Sequence, residues 1–138
     1  DPQKAAISDQ WMTWSTDGFM GTFFPVFWQL VRTEESQRDY NKIAEMAKQS
    51  AEVLKVLEGH LANNKFVAGD EFTYGDIPLG VLIHKYFVLD IKRPSMPGIE
   101  AWYQRLTERN PYKEHAMQPF GNSPEEFLKL QTKGEKNL

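Results

Sequence analysis

The sequence predicts an all-α domain, a bundle of five to six helices around a central buried helix. Three observations carry this. Apolar residues recur at the three- and four-residue spacing of helices along most of the chain. A run that is apolar on nearly every side, Leu79 to Leu89, follows a helix-start signature at residues 73–76. Proline, glycine and asparagine punctuate the gaps, and no stretch alternates as a strand would. The 138 residues, 41% of them hydrophobic and 13% aromatic, suit one domain with a real core.

The first helix can start at once, with Asp1 as N-cap and Pro2 in the first turn. One apolar stripe runs through Ile7, Trp11, Trp14, Phe19, Phe23, Phe27 and Val31. A second runs through Met12, Met20, Phe24 and Trp28. A helix with two apolar faces must bury against two things, so a second domain or a second subunit is expected on one of them. Pro25 predicts a bend near residues 21–25, because it removes a hydrogen bond and crowds the Gly21 carbonyl. Gly18 and Gly21 share a side, where close approach by another helix or a ligand is expected.

Residues 33–37 are polar and break the pattern. The second helix spans about residues 38–61, with Ile43, Ala47, Leu54, Leu57 and Leu61 inward and Lys42, Glu45, Glu52 and Lys55 in water. Asn63 and Asn64 suit its end.

Thr73 and Asp76 then have the spacing of a capping box: Thr73 accepts from the Asp76 N–H, and Asp76 reaches back to the Thr73 N–H. Phe72 and Ile77 have the spacing of a hydrophobic staple. Such local signals are needed, because a helix apolar all round has no amphipathic pattern to set its register. Only His84 and Lys85 interrupt it. Pro97 opens the next helix after a cap at Ser95 or Met96, with Ile99, Trp102, Tyr103 and Leu106 inward and Asn110-Pro111 at its end. A short polar helix follows through residues 112–117, then a turn at 118–122. The Ser123-Pro124-Glu125-Glu126 cap signature opens a last short helix around residues 127–130, with fraying expected from Thr132.

Composition narrows function. A net charge of -3 from 16 basic and 19 acidic residues argues against a nucleic-acid binder, whose footprint is basic. There is no cysteine, hence no disulfide, thiolate metal site or cysteine nucleophile in the chain. No apolar run approaches the ~18 residues of a membrane span, and no secretory leader is visible after Asp1-Pro2-Gln3-Lys4. A cytoplasmic location is the expectation. His60, His84 and His115 lack metal-ligand spacing, and no nucleophile elbow or phosphate loop occurs. His84 reads as a packed, hydrogen-bonded core residue. Trp11 and Trp14 read as core or as the wall of an apolar pocket. Arg32 either complements the dipole at the end of the first helix or binds an anionic substrate. The chain lacks an initial Met, which suggests a processed or cut polypeptide.

The string Phe66-Val-Ala-Gly69-Asp-Glu-Phe72-Thr73-Tyr-Gly75-Asp76-Ile77 resembles the motif that opens the central helix of glutathione transferase C-terminal domains, with Gly75 where alanine is usual. The segment from Ile99 to Pro111, with Trp102 and Arg109, resembles the family's next helix. Trp11-Met-Thr-Trp14 and Phe23-Phe-Pro25-Val-Phe27 resemble the long first helix of bacterial members, and residues 30–39 resemble GstB-type sequences. The resemblance covers residues 1 to 120.

It implies one helical domain over residues 1–138, without the N-terminal thioredoxin-like domain of such enzymes. That domain holds glutathione and supplies the Ser, Cys or Tyr that stabilises its thiolate, so no catalytic residue is expected here and the chain alone should be inactive. The helical domain supplies most of the wall for a small electrophile and much of a homodimer interface. The pocket candidates are Trp11, Trp14, Asp17, Gly18, Arg32 and Lys85. The His-Lys pair that contacts glutathione in beta-class enzymes is replaced by Met20 and Gly21, and a substrate-site tryptophan of the central helix falls near Lys85. The rival expectation is a non-catalytic interaction module of the same fold, as in elongation factor gamma subunits, or a free-standing domain that dimerises.

Overall fold

The computed structural model describes residues 1–135. Its helices are α1 (Pro2–Trp14), α2 (Gly21–Val31), α3 (Tyr40–Leu61), α4 (Asp76–Val88), α5 (Pro97–Thr107), α6 (Asn110–His115) and α7 (Pro124–Glu135). A π-helical turn, Ser15–Met20, joins α1 to α2. Among the described residues the only β pairing is an isolated bridge between Phe66 and Gly69, where Gly69 takes φ +123° in a tight turn. α2 packs on α3, α3 on α5, and α1 on α4, which also meets α2 and α5.

The π turn has a cause in the pattern. Trp11, Ser15, Phe19, Phe23, Phe27 and Val31 are all buried and recur every four residues. In a 3.6-residue helix each such step drifts by roughly 40°, so five steps would carry the stripe roughly 200° around the axis. A π turn closes i→i+5 bonds and rotates the other way, returning the stripe towards the core. Ser15 Oγ donates to the Met12 carbonyl at 2.6 Å, and Thr16 Oγ1 reaches it at 3.4 Å, satisfying an acceptor where the ladder widens. The irregularity therefore lies ahead of Pro25, at Ser15–Met20, and Pro25 sits within α2.

Asp76 is fully buried at the start of α4. Its Oδ1 accepts from the Val67 N–H at 3.0 Å and from the Trp102 indole N–H at 2.8 Å. Its Oδ2 accepts from the Thr73 N–H at 2.9 Å. Only the return half of the expected capping box has the expected partner. The Asp76 N–H donates to the Thr73 carbonyl, and Thr73 Oγ1 instead accepts from the Gly75 N–H at 3.3 Å. The reason is nearby: Ser8 Oγ of α1 lies 2.9 Å from Thr73 Oγ1, tying the hydroxyl to another helix. Gly75 allows that approach, since a Cβ there would stand 2.9 Å from Ser8 Cα. Ile77 is half exposed.

The starts of α1, α3, α5 and α7 are capped by side chains from near and far. Asp1 and Asp39 accept from the N–H groups of Gln3 and Lys42. Neither Ser95 nor Met96 caps α5 with its side chain. The carboxylate of Glu58 on α3 does so instead, accepting from the Gly98 and Ile99 N–H groups at 2.9 Å each. α7 is longer than the short helix expected, running on through residue 132 to Glu135 behind a Ser123 cap.

The buried N–H groups of Val67 and Trp102 and the part-buried N–H of Thr73 depend on Asp76, and an orphaned buried donor costs about 1–3 kcal/mol. Asp76→Ala should therefore lower unfolding free energy by at least about 3 kcal/mol in urea melts followed by tryptophan fluorescence. A loss near 1 kcal/mol, that of an ordinary exposed cap, would mean that the three bonds do not act together.

Candidate functional site

Two regions can meet a ligand: the aromatic face built by α1, α2 and the C-terminal segment, and a groove at the opening of α4.

On the first, Trp11 is buried, edge-on to Trp14 at 5.3 Å and packed on the His60 ring at 4.6 Å. His60 Nε2 lies 2.8 Å from the Val67 carbonyl, which fixes that ring. Trp11 is thus a core residue, while Trp14 is half buried. Gly18 and Asp17 lie in the π turn. At Gly18 a Cβ would stand 2.8 Å from Trp14 Nε1, so the indole of the preceding turn packs closely there. Gly21 faces open space. Met12, Met20, Phe24 and Trp28, the second stripe, are exposed, with Phe24 and Trp28 at 43% each. An apolar stripe this wet is a surface awaiting a cover.

Arg32 stands at the C-terminal end of α2, its guanidinium 4.4 Å from the Trp28 ring and 4.8 Å from Phe127. Lys85, half buried on α4, holds its ammonium 5.2 Å from the Phe120 ring and 6.0 Å from Phe27. Burial pushes the Lys85 pKa down. Phe27 packs on both Phe120 and Phe127, at 5.2 and 6.4 Å, so one ring cluster separates the two cations. The structure therefore groups Arg32 with Lys85, and Trp14 with Trp11 and Gly18. Phe120 and Phe127 were not legible as site residues, because Phe120 lies within the turn at 118–122 and Phe127 opens a short helix with no long stripe.

His84 is buried beside Lys85 and its Nδ1 lies 2.9 Å from the Tyr103 hydroxyl. Burial, then the Lys85 charge, lower its pKa.

The groove, about 430 Å³, is lined by Phe72, Ile77 and Val81 on one side and Arg109, Pro111, Tyr112, His115 and Ala116 on the other. The Arg109 guanidinium lies 3.7 Å over the Phe72 ring. The supposed staple pair thus lines an open apolar groove. None of the six pocket candidates borders it. Among the described residues no group of three or more His, Asp or Glu could hold a metal ion.

The chain is thus an all-helical bundle with a buried aspartate opening its central helix and part of its apolar surface left uncovered. Residues 19–110 match the family model of the glutathione S-transferase C-terminal domain, and the chain belongs to that family. It is 30% identical over 118 residues to glutathione S-transferase GstB of Escherichia coli (strain K12), covering 86% of this chain and 57% of that protein. It is likewise 30% identical over 120 residues to glutathione S-transferase 3 of Zea mays, covering 80% of this chain and 52% of that one. The crystal structure of the theta class glutathione S-transferase of Xanthomonas axonopodis pv. citri, with glutathione bound, superposes with a TM-score of 0.83 at 40% identity, covering 88% of this chain and 64% of that one. The chain thus spans less than two thirds of the length of these relatives.

Two outcomes follow. The folded pKa of His84 is depressed, so its contribution to stability is full above the unfolded value near 6.5 and is lost as pH falls below that through the folded value. The melting temperature should drop as pH falls below about 6.5, and His84→Gln should flatten that part of the curve. Gly18→Ala should displace the Trp14 indole, changing near-ultraviolet circular dichroism, while the melting temperature moves little because a flexible side chain yields and helix propensity improves by about 1 kcal/mol. An unchanged aromatic signal would place the indole elsewhere.

Proposed function

We propose that this chain is the substrate-pocket and dimerisation domain of a glutathione transferase that conjugates glutathione to small electrophiles. The observation that carries this is the doubly apolar rod of α1 and α2. Its inner stripe is buried, whereas Met12, Met20, Phe24 and Trp28 stand in water. Family membership supplies the chemistry that such a face would serve.

The thiolate and the groups that stabilise it would come from a thioredoxin-like domain, and this chain offers no catalytic residue. What it contributes is an aromatic wall. Trp14 and the phenylalanines around Lys85 would exclude water from an apolar substrate, raising its local concentration and the nucleophilicity of an incoming thiolate. Arg32 would hold a polar substituent at the rim. The exposed stripe would lie against a second copy, and the groove at Phe72 and Val81 against the thioredoxin-like domain. The cell compartment that fits is the cytoplasm, where reduced glutathione is abundant and a domain without cysteine needs no disulfides. The relatives found are glutathione transferases, which favours the enzyme over a non-catalytic interaction module.

The test begins with the intact mass of the natural polypeptide purified from its source cells. A mass well above the 16.0 kDa of this chain, with glutathione conjugation by that polypeptide, supports the proposal. A mass of 16.0 kDa would remove the enzyme reading. In the full enzyme, Trp14→Ala and Arg32→Gln should each raise KM for the electrophile about three- to tenfold and leave KM for glutathione near its starting value. Unchanged electrophile kinetics in both would take these residues out of the pocket.

A further inference from the structure

A groove of about 500 Å³ runs between α3 and the connection from α4 to α5. Lys48 and Glu52 border it from α3, and Lys92, Arg93 and Pro94 from the connection. Ala44 and Ala51 also line it, one helical turn to either side of Lys48, so α3 presents small side chains that leave the space open. Its charges are one-sided. Among the described residues, Lys48 and Lys92 make no hydrogen bond or ion pair. The carboxylate on the rim, Glu52, is held by Lys55 at 2.7 Å. Asp90 borders the adjoining hollow, which shares Ala44 and Lys92, and does not pair with that lysine.

Arg93 is fixed rather than free. Its Nη1 donates to the Leu89 carbonyl at 2.6 Å and the Tyr86 carbonyl at 3.2 Å, at the end of α4. Those bonds hold the guanidinium in place and leave Nε and Nη2 without a partner, a donor set positioned in advance of any ligand. Other unpaired cations are placed differently. Lys42 borders the shallow hollow at Phe24 and Trp28 as its one charged residue, and Arg109 lies flat on the Phe72 ring. Here three cations from two segments face one groove, on a chain whose net charge is -3. Concave walls focus such a field, and the mutual repulsion of the cations is relieved by an anion between them. A guanidinium fork flanked by two ammonium groups suits the several oxygens and double charge of a phosphoryl group better than a single carboxylate. The walls offer the rest of a ligand only methyl groups, the Pro94 ring and lysine stems. The volume is that of a small-molecule site and exceeds what inorganic phosphate needs.

We propose that this groove binds a phosphate monoester with an apolar body: the phosphoryl group meets Arg93, Lys48 and Lys92, and the body lies on Ala44, Ala51 and Pro94. The inference goes beyond the transferase reading and holds whether or not the full protein conjugates glutathione. Lys48 and Lys92 are exposed, so each can be replaced without disturbing the core, whereas Arg93 also holds the end of α4.

The experiment is calorimetric titration of this 138-residue chain with naphthyl phosphate, naphthol and inorganic phosphate. Naphthyl phosphate should bind one to one, at least about tenfold tighter than naphthol, and salt should weaken it. It should also bind at least about threefold tighter than inorganic phosphate, because the naphthyl ring adds apolar contact. Lys48→Met and Lys92→Met should each remove about threefold of the affinity and the pair together about tenfold. The double change Lys48→Arg with Lys92→Arg should stay within about twofold of the parent. Lys42→Met with Lys113→Met removes the same charge from other exposed positions and should also stay within about twofold. No binding of naphthyl phosphate, or naphthol binding as tightly, would overturn the proposal. An equal loss in the Lys42 and Lys113 control would show diffuse attraction to surface charge and overturn it as well. Inorganic phosphate binding as tightly as the ester would take the apolar walls out of the site and overturn the assignment of a monoester.

Discussion

The buried carboxylate of Asp76 is the constraint on which the rest of the domain depends. A charge taken out of water is tolerable only if its lone pairs are filled by good donors. Here the donors come from three places: the turn at Val67, the cap at Thr73, and the indole of Trp102 on α5. One side chain therefore fixes the start of α4, the path of the preceding loop and the docking of α5. Thr73 extends the network to Ser8 on α1. Because α4 meets α1, α2 and α5, its register sets where Ile83, His84 and Lys85 face. The aromatic surroundings of Lys85 are thus positioned by a group that does not touch them.

The α1–α2 rod shows the complementary principle. Its inner residues obey the core, while its outer residues Met12, Met20, Phe24 and Trp28 stay exposed. Keeping the buried stripe from Trp11 to Val31 straight conflicts with the pitch of an α-helix, and the π turn at Ser15–Met20 resolves the conflict. The same turn draws the Trp14 indole over Gly18, so a local backbone adjustment shapes the aromatic face.

The helices were legible because apolar spacing and caps are local signals. Asp1, Asp39 and Ser123 announce helix starts, and the Thr73–Asp76 spacing announces a buried one. What the sequence did not disclose was long-range. Nothing around Gly98 indicates that its cap is Glu58, forty residues earlier, and nothing around Asp76 points to Trp102. The π turn was hidden because a spacing of four also suits an α-helix over short stretches. On the aromatic face, Lys85 stood out as a charge within an apolar run, whereas its ring partner Phe120 lies within a turn and comes near only through the tertiary fold. Gly18 was conspicuous for the right reason, close approach, but the neighbour was its own helix.

Synthesis proceeds from the N-terminus, and the Asp76 network gives that direction a cost. Val67 and Thr73 are made before Asp76, but Trp102 follows it by 26 residues. At about 5–20 residues per second, the carboxylate waits roughly 1–5 s for its last donor. During that interval α1 to α4 exist without the indole that completes the site, so the half-made chain has reason to keep Asp76 in water and α4 undocked. Commitment to the native bundle is thereby deferred until α5 has been translated, and a ribosome stalled within those 26 residues would display the apolar surface of α4 to any chaperone within reach.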